Sequence, residues 1–289
     1  MHKTNNRQQS PKFSSDVNSK RRPTFNEFLC KKISITGGTG NVGKTSIALK
    51  MTMELASMGH KTLLIDCNLN SSHTCKKLGI EFNFEFHKLL TGEISFDDFI
   101  FKKGNLHFLG TETDFLDEQK NKFEQIIIDI INSHDKEYDY ILVDCPSYEK
   151  DYFLDLNGLC DHRLIVITPD RKSITDSYSF VKALFHKLGI KENHLFVNKY
   201  QTEKQFLKVA TSLTETIENF IGANIHLLGG MPKYNFDDNG FDTFFLSESK
   251  NEINHNFVKL LLGFTEKAVG PLNAQNTSLS YQTNEQDVH

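Results

Sequence analysis

The sequence predicts an α/β chain of three layers, with a mostly parallel central sheet covered by helices on both faces. Three observations predict it. Strand-like apolar runs alternate with helical repeats along most of the 289 residues. The runs are almost continuously apolar, as strands buried on both faces must be. Two of them end in a carboxylate, Asp66 and Asp144, at the strand ends where such sheets place their ligands.

Taken in order, residues 1–30 are expected to form a flexible amino-terminal arm. Up to about Thr24 they are polar, with Ser10-Pro11 and Arg22-Pro23, and the basic cluster Lys20-Arg21-Arg22 reads as a solubilising tail. One domain is expected over residues 31–264. Ile33-Ser34-Ile35 is a short strand, and residues 47–55 lie in a helix that runs to about Met58 and stops at Gly59. Residues 61–66 form the next strand. After a break at Gly79, residues 83–90 and 95–100 read as short helical turns and 106–109 as a short strand. Phe123, Ile126, Ile127, Ile130 and Ile131 mark one face of a helix.

Residues 140–144 and 163–168 are strands. Ser173 with Asp176 reads as a capping box for a helix that presents Tyr178, Val181, Leu184, Phe185 and Leu188 on one side. Strand, helix and strand follow at 194–198, 204–221 and 225–228. Ser249 with Glu252 is expected to cap a terminal helix whose stripe Ile253, Phe257, Leu260 and Leu261 packs on the sheet rather than on a membrane. Residues 265–289, rich in Asn, Gln, Ser and Thr, are expected to be a disordered tail.

Composition narrows the function classes. The formal net charge of −4 disfavours general nucleic-acid binding. No apolar run is long enough for a transmembrane helix and the start lacks the apolar segment of a signal peptide, so a cytoplasmic location is expected. Cys30, Cys67, Cys75, Cys145 and Cys160 contain no CxxC pair, which favours buried thiols over disulfides or zinc. The 24 Phe and absent Trp point to core filling and to no particular ligand.

The chemistry is announced by Gly38-Thr39-Gly40-Asn41-Val42-Gly43-Lys44-Thr45, a full match to G-x-x-x-x-G-K-[ST], followed by Ser46. A strand before it and a helix after it supply the required context, and the fold expected is therefore the three-layer P-loop NTPase fold. Its glycines let main-chain amides converge on phosphate, Lys44 bridges the outer phosphates, and Thr45 offers a hydroxyl to Mg2+. Asp144 is expected to hold Mg2+ through water, with Asp66 a further candidate for the metal shell.

On these residues the chain resembles the MinD/ParA (SIMIBI) group of P-loop ATPases, and within it the flagellar-number regulators of the FlhG/FleN branch. The likeness covers residues 32–264. Beside the loop it rests on LLIDCNLNSSHTCKKLGI (63–80), ILVDCPSY (141–148), IVITPDRKSITDSYSFVKAL (165–184), Val197-Asn198-Lys199 and Gly230-Met231-Pro232-Lys233. It implies ATP/ADP with Mg2+ as cofactors, Asn198 and Pro232 at the adenine, and an ATP-dependent homodimer. It also implies work at the inner membrane or cell pole, by peripheral contact, on a flagellar or other polar assembly, with an FlhF-like GTPase or a transcription regulator as partner.

Three positions depart from the group's pattern. Thr39 stands where the group has a signature lysine that reaches the other subunit's ATP, which weakens the expected dimer. Asn68 stands where it has a water-positioning carboxylate, and Tyr148 where it has a switch glycine. A neutral amide is no proton acceptor at neutral pH. Asp66 and Asn68 are therefore an impaired catalytic pair, and nucleotide binding with weak or absent hydrolysis is expected. The alternatives are a slow but active ATPase positioning another cargo, or an ATP-dependent enzyme acting on a small molecule.

Overall fold

In the computed structural model, the described residues are 29–68, 72–80, 86–111, 120–148, 153–236, 238–247 and 251–269. They build one sheet of eight strands: β1 (Lys31–Thr36), β2 (Thr62–Asp66), β3 (Phe101–Lys103), β4 (Leu106–Gly110), β5 (Tyr140–Asp144), β6 (His162–Ile167), β7 (Glu192–Tyr200) and β8 (Asn224–Pro232). Their spatial order is β3-β4-β2-β5-β1-β6-β7-β8. Every pairing is parallel except β3 with β4, so the three-layer fold expected from the apolar runs is the fold observed.

The helices are α1 (Lys44–Ser57), α2 (Ser72–Leu78), α3 (Phe86–Thr91), α4 (Phe96–Phe99), α5 (Lys120–His134), α6 (Leu154–Leu159), α7 (Arg171–Leu188), α8 (Glu203–Phe220), α9 (Asp238–Phe245) and α10 (Glu252–Val269). α5, α6, α7 and α8 pack one after another along one face of the sheet. Alternation along the strands divides the core. Ile165, Ile167, Leu195 and Val197 pack with Phe180 and Leu184 of α7 and with Leu213 and Ile217 of α8. Leu164, Val166 and Phe196 turn to the opposite face, where Phe257, Leu261 and Phe264 of α10 join the larger cluster around α1.

Lys50 of α1 is 1% exposed, and its ammonium is satisfied by Glu54 at 2.8 Å and by the Ser247 carbonyl at 3.2 Å. It fastens α1 to the α9–α10 connection. The terminal stripe Ile253, Phe257 and Leu261 is buried, so α10 is a core helix.

Several local expectations are corrected. The short hairpin strand β3 and the helices α2 and α6 carry too few periodic apolar residues to be seen in sequence; α9 is an addition whose Phe241, Phe244 and Phe245 do have helical spacing, over only eight residues. Asp170, not Ser173, caps α7: its side chain accepts from Ser173 N at 2.9 Å, while Ser173 Oγ accepts from Thr168 N at 3.0 Å. Asp176 pairs with Lys172 at 2.6 Å instead of closing a capping box. Asn251 caps α10, accepting from Asn254 N at 2.8 Å. That helix continues to Val269, past the expected boundary at 264. The amino-terminal arm up to residue 28, the basic cluster, Ser249 and residues 270–289 lie outside the described residues.

Candidate nucleotide site

β1 delivers the chain into the 37–43 loop and α1 takes it away, with the loop's neighbours fixing its shape. A Cβ on Gly37 would lie 2.6 Å from the Val166 carbonyl oxygen, and one on Gly38 would lie 2.1 Å from the Asp176 backbone. The loop is thus seated directly on β6 and α7, and Gly38 N donates to Ser177 Oγ at 3.2 Å. Asn41 takes φ +61°, a left-handed angle that Asn enters more readily than most residues. Gly43 has φ +97°. Asn198, at the end of β7, donates from Nδ2 to the Val42 carbonyl at 2.8 Å and accepts from Lys199 N at 2.9 Å. Its amide therefore braces the loop.

Lys44 is buried and folds back over the loop, donating to the Thr39 carbonyl at 3.0 Å and to Ser147 Oγ at 3.2 Å. Burial pulls its pKa down while the Asp144 charge pulls the other way. Thr45 Oγ1 donates to Asp144 Oδ2 at 2.6 Å. The parallel register sets Asp66 directly beside Asp144. Asn68 spans the two: its Nδ2 donates to Asp66 Oδ1 and to Asp144 Oδ2, both at 2.8 Å. Asp66 also accepts from Thr74 Oγ1 at 2.6 Å and is fully buried. Neither residue is presented as a base. Asn68 donates to the carboxylates, and Asp66 is enclosed by donors.

The carboxylate pair fits a hard divalent cation. Burial first, and the neighbouring Asp66 second, push the Asp144 carboxyl up to about 7 against the lowering effect of Thr45 and Lys44. Asp144 Oδ1 is buried and has no hydrogen-bond partner among the described residues. A buried carboxylate oxygen in that condition, beside a threonine hydroxyl and a second carboxylate, is the oxygen donor set Mg2+ takes.

Around these groups lies a cavity of about 1230 Å3. Gly40, Asn41, Gly43, Lys44, Thr45, Ser46, Asn68 and Asn198 line it on the loop side. Met231, Pro232, Tyr234, Phe236 and Phe241 line it on the β8–α9 side. Asn198 and Pro232 therefore stand on the same cavity as the loop. Gly38 and Thr39 instead line a second cavity of about 440 Å3, which shares Gly40 and Ser147 with the first. Val42 is buried beneath the loop. Tyr148 donates its amide to the Gly37 carbonyl at 3.1 Å and packs its ring on Phe180, with centroids 5.2 Å apart.

Four site residues escaped sequence reasoning. Ser147 lies beside Lys44, and Lys172 donates to Thr39 Oγ1 at 3.3 Å. Asp242 of α9 accepts from Ser46 Oγ at 2.6 Å and is paired with Lys77 of α2 at 2.7 Å. Lys77, Ser147 and Lys172 lie in segments that carry the family likeness, and Lys172 is also marked as a cation opening a helix. Asp242 is brought in by tertiary packing.

The chain is similar to several known proteins. A family model described as an AAA domain matches residues 30–184, more than half of the chain. A Guillardia theta protein named for septum-site determination, MinD, is 28% identical over 184 residues, 61% of this chain and 66% of that protein, so the match spans just under two thirds of the relative. The antiactivator FleN of Pseudomonas aeruginosa is 21% identical over 203 residues, 69% of this chain and 72% of that protein. The MinD structure from Pyrococcus horikoshii, solved with Mg-ADP, superposes with a TM-score of 0.66 at 22% identity, covering 83% of this chain and 98% of that one, a likeness of fold. The chain belongs to the AAA-domain family, and it is similar to proteins named MinD in sequence and in fold.

Proposed function

We propose that this protein is a nucleotide-controlled positioning switch that binds ATP or ADP with Mg2+ at the 37–46 loop and hydrolyses ATP slowly. One observation carries the reading. Lys44 and Thr45 match the phosphate-loop pattern and Thr45 is bonded to Asp144, while Asn68, where the family resemblance implies a water-orienting carboxylate, has its amide committed to Asp66 and Asp144. Ground-state binding and transition-state stabilisation are separable, so a site can keep the first and lose most of the second.

Loop amides and Lys44 would hold the phosphates, Thr45 and Asp144 would hold Mg2+ with Asp66 behind them, and Asn198 and Pro232 would face the base. Magnesium supplies charge neutralisation between phosphate oxygens. Without rapid turnover the nucleotide acts by favouring one conformation over another, to the extent that the two differ in affinity. The output is an ATP-favoured homodimer, weakened by Thr39, that engages a protein partner in the cytoplasm or at a membrane surface.

The likeness to proteins named for septum-site determination favours positioning of a cargo in the MinD manner. The flagellar-number reading has narrower support, from the Ser173-Ile174-Thr175-Asp176 stretch and the likeness to FleN. Equilibrium binding of ATP and ADP with Mg2+, together with the mass of the chain in solution, tests the proposal. Binding of both nucleotides and a shift toward dimer with ATP are expected. Failure to bind either nucleotide overturns it.

A further inference from the structure

Thr39 is reached by two ammonium groups from two sides. Lys44 donates to its carbonyl at 3.0 Å, and Lys172 donates to its hydroxyl at 3.3 Å. Lys172 comes from the first turn of α7, an element held to the loop by independent contacts. Gly38 has no Cβ because the backbone of Asp176 occupies that space, and Gly38 N is bonded to Ser177 Oγ at 3.2 Å. The position of Lys172 relative to the loop is therefore set by backbone packing as well as by its own side chain.

The placement runs against the helix dipole. Arg171 and Lys172 open α7, where the helix dipole disfavours cations, between the capping carboxylate of Asp170 and, one turn on, that of Asp176. The Lys172 side chain is 74% exposed, so packing does not explain it. What it does is line the second cavity with Gly38, Thr39, Gly40, Ser147 and Tyr148, next to the first cavity, which Lys44 lines and which shares Gly40 and Ser147 with it. Asp176, 2.6 Å away, holds it there. An anion seated where the two cavities meet, at Gly40 and Ser147, would be attracted by the cation lining each of them.

We propose that Lys172 is a second phosphate-binding cation of this site, brought by α7 of the same chain to the terminal phosphate of a nucleoside triphosphate. It distinguishes triphosphate from diphosphate and supplies from a helix the positive charge that Thr39 lacks. The assignment rests on the nucleotide reading above. Lys172 acts as an electrostatic contact, and no bond is made or broken at it.

Binding of ADP and of a non-hydrolysable ATP analogue, each with Mg2+, tests this on the full chain over a range of protein concentrations. Lys172→Ala is expected to weaken the ATP analogue about tenfold, as loss of one charge-assisted contact does, with ADP changed less than about twofold. Lys172→Arg is expected to keep the triphosphate preference, and Asp176→Asn to raise it by freeing the ammonium. Melting temperature without nucleotide reads whether Lys172→Ala has disturbed the fold, and no change is expected. Equal weakening of both nucleotides, or of neither, overturns the assignment, as does an effect that grows with protein concentration, which would place the contact across a dimer. Wild-type protein that binds neither nucleotide removes the nucleotide reading and this one together; wild-type binding of ADP with an unaltered Lys172→Ala profile removes this one alone.

Discussion

The two sides of the phosphate loop have different character. Toward β2 and β5, the buried carboxylates Asp66 and Asp144 are joined at 2.6–2.8 Å to half-buried Thr45 and Asn68, with one buried carboxylate oxygen left over for a cation. Toward α7, Thr39, Tyr148 and Lys172 form an open side in which the Tyr148 amide is turned to Gly37 and the cation is a surface lysine. Desolvated groups hold fixed geometry and strong fields, whereas exposed ones are screened. On the proposed nucleotide reading, a site built this way would grip the metal and inner phosphates firmly and control the reacting end of the nucleotide weakly.

The largest effect expected is on the firm side. Lys44→Ala should weaken ATP and ADP binding about a hundredfold, the loss of contacts from a buried cation to phosphate, with the fold retained by circular dichroism. Retained affinity would show that nucleotide binding does not pass through the loop lysine.

Next comes Asp144. Its folded-state carboxyl is raised from 3.8 to about 7 by burial and by Asp66, so between those values the folded protein keeps a proton that the unfolded chain has lost. Its stabilising contribution is therefore present at low pH and lost as pH rises through about 7. Asp144→Asn should raise the melting temperature of the nucleotide-free protein at pH 8 relative to wild type and abolish the further rise given by Mg2+ with ADP. A melting temperature at pH 8 that falls on substitution would contradict the strain assigned to the paired carboxylates.

Asn68→Asp probes the weak side of the chemistry. It places a carboxylate where a water could be oriented, and turnover should increase about tenfold or more if that group is the main deficit. An unchanged rate would move the deficit to Thr39 and Tyr148.

The smallest effect belongs to the amino-terminal ends of the strands. His194 lies against His162, His226 and Phe264, and its pKa is lowered from 6.5 to about 4, chiefly by burial and then by the neighbouring histidines. The unfolded chain takes up that proton first, so stability present above 6.5 is lost as pH falls toward 4. His194→Gln should flatten this part of the melting temperature's pH dependence while leaving nucleotide affinity unchanged. An altered affinity would link two ends of the sheet that the structure keeps apart.

The same contrast governs what was legible in the sequence. Strands β1, β2, β5, β6 and β7 announce themselves because burial on both faces demands unbroken apolar runs, and the loop announces itself because phosphate demands glycine, lysine and hydroxyl in register. Asp66 and Asp144 were visible because both end such strands. Asp242 and Ser147 were not, since an acid on a short amphipathic helix and a serine after a strand have many other uses. The capping of α7 is hard to read for a related reason: Asp170 and Ser173 are both good capping residues, and the bond from Ser173 N to Asp170, with Ser173 Oγ taken by Thr168 N, decides between them only in the folded chain. Asn198 shows a further limit. The family resemblance implies a place for it at the adenine, whereas its bond to the Val42 carbonyl could come only from the folded chain.

The most direct test of the central claim is phosphate release by the purified full chain alone, saturated with ATP and Mg2+, with bound nucleotide measured in the same samples. The account predicts near-stoichiometric occupancy and turnover far below about 1 s⁻¹, the lower end of ordinary enzymes. Turnover at or above that rate without any partner would contradict it.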